Sequence, residues 1–130
     1  MKVIKQLSVF AENKPGKLEK ITGIIAREKV NILAVNIAGM GDFGVLKFVV
    51  DKPEIAHDKL KEKGFTVTMN DLLGIEMTDR PGGLHSVAKT LRENGVNIDN
   101  AYVLIPESRR KAFLLIETKN LEKARAIKGL

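Results

Sequence analysis

Apolar residues along this chain switch between two spacings, alternating in short runs and then recurring every three or four positions. Lys5 to Ala11 alternates loosely and predicts a strand. Pro15 to Glu28 places Leu18, Ile21, Ile24 and Ile25 on one side, the stripe of an amphipathic helix. Asn31 to Ala38, with Ile32, Leu33, Val35 and Ile37, predicts a second strand. Gly39 to Gly44 is rich in turn residues and predicts a hairpin connection to a third strand, Val45 to Val50. Pro53 opens a helix with Ile55, Ala56 and Leu60 inward, Gly64 ends it, and Phe65 to Met69 is a fourth strand. The order is βαββαβ.

The pattern then starts again. Leu72 to Met77 is a strand and Pro81 to Asn94 a helix, closed by Asn94-Gly95. Asn97 to Ile105 is a strand, Pro106-Glu107-Ser108-Arg109 a hairpin turn, Lys111 to Glu117 a strand and Leu121 to Lys128 a helix. No counterpart of the fourth strand follows. Either the second sheet keeps three strands or another segment completes it, and an open sheet edge is a pairing site. The expected fold class is α+β: two tandem ferredoxin-like βαββαβ units with antiparallel sheets, at residues 1–70 and 71–130, the second lacking its last strand. Helices on one face leave the other bare. Val45 to Val50 is too apolar for a fully wet face, so the halves are expected to pack sheet against sheet, to extend one another edge to edge, or to dimerise.

The repeat keeps an exact register without a gap. Pro15 and Pro81 stand 66 residues apart, as do Asn31 and Asn97, and Leu18, Ile21 and Ile25 map onto Leu84, Val87 and Leu91 at the same offset. That period suits a duplicated small domain. The most regular copies are Asn13-Lys14-Pro15-Gly16-Lys17-Leu18 and Asp79-Arg80-Pro81-Gly82-Gly83-Leu84. In each, a short polar residue ends a strand and can bond backbone in a turn. Proline suits the first helical position, and glycine leaves room for another backbone or a ligand. The opening N–H groups of the helix have no partner within it and carry partial positive charge, a seat for a carboxylate. A plain strand-to-helix turn accounts for either copy alone. The second signal at the same distance, Val30-Asn31-Ile32 and Val96-Asn97-Ile98, favours a pair of sites.

Composition narrows the function classes. The 130 residues are enough for one ordinary domain or two very small ones. Small domains bury a low fraction of their surface, so the halves should share a face and recruit a second chain. The net charge of +6 invites nucleic acid. However, lysines and arginines are interspersed with acids, as in Glu54 to Lys63, and the one basic cluster, Arg109-Arg110-Lys111, lies between apolar strands. Tryptophan is absent and tyrosine occurs once, which leaves few stacking platforms. Neither nucleic acid nor membrane is an expected partner. The absence of cysteine excludes disulfide and thiolate chemistry. Met1 to Lys5 lacks a signal-peptide pattern and no apolar run reaches spanning length, so a cytoplasmic location is expected.

Catalytic and metal chemistry finds little support. His57 sits among helix charges and His85 in a first helical turn, both expected at the surface. Two isolated histidines without cysteine give no metal-ligand spacing. Ser8, Ser86 and Ser108 are not set in a nucleophile elbow, and Gly39 to Gly44 lacks the ending of a phosphate-binding loop. A small acyl-phosphate hydrolase would have only Arg80 and Asn97 behind it. No catalytic residue, metal or cofactor is expected.

At the two turn motifs and their distant asparagine-isoleucine pairs, the sequence resembles the ACT domain family of small-molecule sensing modules. The family pattern is an acidic residue, any residue, proline, glycine, any residue, leucine, then a helix and a segment ending in asparagine-isoleucine. Asp79 to Leu84 with Asn97-Ile98 matches it. Asn13 to Leu18 with Asn31-Ile32 matches except that Asn13 stands where the acid is usual. The layout looks like stand-alone tandem ACT proteins without a catalytic domain. The resemblance implies a non-enzymatic regulatory protein that binds an amino acid at a domain interface, as a homodimer and with a metabolic enzyme as possible partner. The implied ligand-binding residues are Asn13, Pro15, Gly16, Lys17, Leu18, Asn31 and Ile32, with Asp79, Pro81, Gly82, Gly83, Leu84, Asn97 and Ile98. Helix N–H groups would take the carboxylate, Asp79 the ammonium, and Asn31 and Asn97 can donate and accept together. Asp79 and Asn13 serve equally well as turn caps, and Asn31 and Asn97 as holders of the helix-to-strand turn.

Overall fold

The computed structural model describes residues 1–108 and 110–130. Alternating apolar runs become strands and the three-to-four-spaced runs become helices. The first half forms β1 (Lys2–Glu12), α1 (Lys17–Arg27), β2 (Ile32–Met40), β3 (Phe43–Val50) and α2 (Pro53–Glu62), and runs into β4 (Thr66–Thr78). The second half adds α3 (Gly83–Glu93), β5 (Asn100–Leu104), β6 (Lys111–Glu117) and α4 (Leu121–Arg125). The chain divides into two compact units, Lys5–Asn70 and Asp71–Leu130 together with Met1–Ile4.

In the N-terminal unit the strand order is β2-β3-β1-β4. β3 pairs antiparallel with β1, Leu7 opposite Phe48 and Val9 opposite Leu46, and with β2 on its other side. Because side chains alternate across a strand, this register puts Leu7, Val9, Leu46, Phe48 and Val50 on one face. There they pack against Ile21, Ile24 and Ile25 of α1 and Ala56 and Leu60 of α2. Each fully buried leucine, isoleucine or phenylalanine stabilises the unit by about 1.5–3 kcal/mol relative to exposure. On the opposite face Gln6, Ser8, Ala34 and Val49 are also buried.

In the C-terminal unit the order is β4-β6-β5, with Leu73 opposite Ile116 and Ile75 opposite Leu114. These four pack against Val87, Leu91 and Ala124. No strand follows α4 among the described residues. The place beside β4 is instead taken by the start of β1, its neighbour in the sheet, and Met1–Ile4 group with this unit. A Cβ on Gly74 would come within 2.7 Å of the Ile4 Cδ1 atom, so glycine makes room for that side chain. The second sheet is completed by a segment from the other end of the chain.

The structure departs from sequence expectation in several places. Phe65–Met69 and Leu72–Met77 are not separate strands: β4 runs unbroken through Asn70 and Asp71. Neither glycine nor proline stands between Met69 and Leu72, and Gln6 Nε2 donates to Asn70 Oδ1 at 3.4 Å. The β2–β3 connection shrinks to Gly41-Asp42, with Gly41 at φ 65° and Met40 paired with Phe43, a two-residue hairpin turn with glycine first. Pro15 and Pro81 stand two positions before the first helical residue rather than opening their helices, because Gly16 and Gly82 are the N-caps. Leu18 and Leu84 are 41% and 47% exposed, so the apolar stripe meets the sheet only from Ile21 and Val87 onward. Ile55 faces solvent, whereas His57 is half-buried and hydrogen-bonds Asp58 through Nδ1 at 2.9 Å. Asn97 and Ile98 lie before β5, which begins at Asn100, and α4 ends at Arg125. Arg109, expected in the second hairpin and the basic cluster, lies outside the described residues. Lys111 of that cluster pairs with Glu76 at 2.7 Å.

Candidate functional site

Each copy of the proline-glycine turn reverses the chain through a left-handed glycine. Gly16 (φ 92°) and Gly82 (φ 86°) are the N-caps of α1 and α3, and neither helix has a side-chain cap. The Lys17 N–H donates to Lys14 O and the Gly83 N–H to Arg80 O, at 3.5 and 3.0 Å. The first helical bonds run from Lys20 to Gly16 and from Ser86 to Gly82. The amides of Leu18 and Glu19, and of Leu84 and His85, therefore have no acceptor inside their helices.

A cavity lies at this point in both units. The N-terminal one, of about 550 Å³, is lined by the end of β1, the first turn of α1, the β2–β3 hairpin and the α2–β4 junction. The C-terminal one, of about 540 Å³, is lined by Glu76 to Thr78 and Arg80 to Gly83, by Ser86, Val87 and Thr90, and by Gly129 and Leu130. The correspondence follows the 66-residue repeat. Lys17 and Lys20 line the first where Gly83 and Ser86 line the second, and Lys63 and Gly64 line the first where Gly129 and Leu130 line the second.

Of the residues singled out in sequence, Pro81, Gly82 and Gly83 line the C-terminal cavity, and Lys17 the N-terminal one. Asn13 does not line its cavity: Nδ2 donates to Gly41 O at 3.0 Å, and its backbone N–H to Asp42 O at 2.8 Å, tying the turn to the hairpin tip. Pro15, Gly16, Leu18, Asp79 and Leu84 stand beside the cavities without lining them. Gly83 has a structural reason to be glycine, because the backbone carbonyl of Thr78 closes the space a Cβ would need.

Asn31 with Ile32, and Asn97 with Ile98, lie at the other end of their unit's first helix. Eleven helical residues separate the two ends in each unit, roughly 16 Å at helical rise. Asn31 and Ile32 line a separate, shallower hollow along α1. The Asn31 N–H donates to Asp51 Oδ1 at 2.9 Å, and the Asp51 N–H returns a bond to Asn31 O at 3.1 Å. Asn97 is tied more fully. Its N–H donates to Asn120 Oδ1 at 3.2 Å, its Nδ2 to Asp99 Oδ1 at 3.1 Å, and its carbonyl accepts from Thr118 Oγ1 at 2.6 Å. Within one unit, the asparagine and the proline-glycine turn do not share a pocket.

The electrostatics of the two cavities differ. In the first, the Lys14 ammonium, 3.2 Å from Glu12, holds the Glu12 carboxyl below its ordinary value by hydrogen bond and charge, helped by Lys17. Lys20 Nζ lies 5.6 Å from the Phe65 ring centroid. Sequence reasoning passed over Phe10, Lys20, Phe43, Lys63 and Phe65 of this cavity. Carrying the repeat past the asparagines, to Lys63-Gly64 and Gly129-Leu130, was the available signal. Among the described residues no group of histidine, aspartate or glutamate could hold a metal ion, and no helix is long and apolar enough to cross a membrane.

The family profile described as ACT domain pair matches residues 1–128. The protein BT0572 from Bacteroides thetaiotaomicron is 36% identical, over 95% of this chain and 84% of that one, and superimposes with a TM-score of 0.89. The regulatory subunit of aspartate kinase from Thermus thermophilus, in its ligand-free form, is 15% identical over 95% of this chain and 93% of that one, with a TM-score of 0.67. Its counterpart from Thermus flavus is 13% identical over 95% and 90%, at 0.62. The two Thermus proteins share the fold. No curated protein matches the sequence.

Proposed function

The chain belongs to the ACT domain pair family, and from that premise we propose that it is a non-catalytic regulatory protein that binds an amino acid beside its strand–helix turns. The observation that carries this reading is the recurrence of one cavity in both units, at an uncapped helix start. Orphan amides and the helix dipole favour a carboxylate there. Asp79 would receive the ammonium, with Asn31 and Asn97 contributing from a second copy of the chain, which makes a homodimer part of the reading. Effector binding would act by population shift, stabilising the assembly for which it has the higher affinity. The same fold serves as a regulatory subunit of aspartate kinase in the Thermus protein, and a metabolic enzyme is the corresponding partner here.

A second reading is favoured by the side chains of Asn13 and Asn97, which are committed to hydrogen bonds inside their own unit. Under it, the protein is an interaction subunit whose ligand sites have degenerated. Titration calorimetry and thermal unfolding with each of the twenty amino acids separate the two. A true effector at a hundred times its Kd stabilises the protein by about 2.7 kcal/mol. Asp79→Ala with Asn97→Ala should remove that gain for an effector seated beside the second turn and leave the first cavity unaffected. Folded protein that responds to no amino acid would overturn the sensor reading and leave the interaction subunit.

A further inference from the structure

We propose that the N-terminal cavity takes a carboxylic acid with a large apolar body, aromatic or branched aliphatic. This deepens the effector reading and rests on it for the cavity being a ligand site. The body is recognised by Phe10, Met40, Phe43 and Phe65, which line one cavity at the end of the sheet. Phe43 lies opposite both Glu12 and Met40 in the ladder, and Phe10 opposite Val45. Met40 is 80% exposed and Phe43 67%, so large apolar groups are left in water beside an empty volume of small-ligand size.

The head is recognised by charge. Lys17, Lys20 and Lys63 line the cavity against a single acid, Glu12, which is already ion-paired with Lys14. Lys20 is held over the Phe65 ring, which restrains one cation at the apolar wall. A net cationic rim around an apolar interior suits an anionic head on an apolar tail, and places no demand for an amine. The chemistry belongs to this copy rather than to the fold. Phe10, Lys17 and Lys20 are replaced at the repeat positions by Glu76, Gly83 and Ser86, which give the second cavity neither aromatic wall nor lysine.

Calorimetric titration of the full chain with 3-phenylpropionate, its neutral amide, phenylalanine and serine tests this. The expected result is binding of 3-phenylpropionate, at least as tight as phenylalanine, and none of the amide. Phe43→Ala should weaken it about tenfold, Lys17→Ala with Lys20→Ala should weaken it at least as much, and Glu122→Gln on α4 should not change it. These side chains are on the surface, so the variants should fold, as circular dichroism will verify. Serine binding without either apolar acid overturns the inference and leaves the effector reading intact. Binding of 3-phenylpropionate with no response to any amino acid keeps the inference and removes the amino-acid reading. Binding indifferent to Phe43→Ala and to the lysine pair overturns it, and no binding of any acid overturns both.

Discussion

The backbone carbonyl of Thr78 fills the space in which a Cβ on Gly83 would have to stand. The end of β4 and the first residue of α3 are therefore in direct contact beside the C-terminal cavity, with no side chain between them. Gly83→Ala should destabilise the protein by about 1–3 kcal/mol through overpacking, read as a lower urea midpoint at unchanged slope. Alanine is the better helix former by about 1 kcal/mol, so a more stable variant would mean that Thr78 moves aside freely.

Gly16 and Gly82 present the opposite case. Nothing lies within 4 Å of a Cβ built on either, but both sit at positive φ. Alanine at each should cost about 1–2 kcal/mol from backbone strain alone. Asparagine, which tolerates the left-handed region, should recover part of it. Equal loss with alanine and asparagine would point to the added side chain rather than to φ.

Tyr102 is the one tyrosine, and burial, with Glu117 adding to it, pushes its phenol from 10.0 up to about 12. Its neutral form is favoured in the fold. That contribution to stability is fully present below pH 10 and is lost as pH rises through about 12. Ultraviolet difference titration should show the tyrosinate signal near pH 12 in native protein and near 10 in denaturant. A native midpoint at the ordinary value would show Tyr102 to be solvated.

Glu12 titrates in the other direction. Its carboxyl lies below the ordinary 4.5 because of Lys14 first and Lys17 second. The stability it contributes is present above that ordinary value and is lost as pH falls through the lowered one. Lys14→Met should move the Glu12 midpoint upward, toward 4.5, in a carboxylate NMR titration. An unmoved midpoint would remove Lys14 as the cause.

Much of the fold was legible because both periodicities are strong and the chain states them twice. Leu7, Val9, Leu46 and Phe48 announce one face of a sheet, and Ile21 and Ile25 the helix stripe that covers it. The βαββαβ order and the antiparallel sheets follow from those positions. Asn70-Asp71 misled because the two residue types favour turns locally, yet the pairing of a long strand overrides a weak preference. The proline-glycine turns were legible, but the cavities beside them were only half so. Their walls come from Lys63 to Thr66 or from Gly129 and Leu130, residues distant from the turn and carrying no local signature.

By itself the sequence determined the duplication, the fold class and the place of the two strand-to-helix turns, because spacing and residue type are read directly along the chain. The left-handed glycine N-caps, and the absence of a side-chain cap from Asn13 or Asp79, came with the structure. The tertiary structure decided what lies far apart in sequence. It brought the first residues of the chain in as the missing strand beside β4, set Asn31 and Asn97 a helix length from the turns, and gathered Phe10, Phe43 and Phe65 with three lysines around one volume. Burial and strand register act between segments tens of residues apart, and no local pattern states which segments those will be.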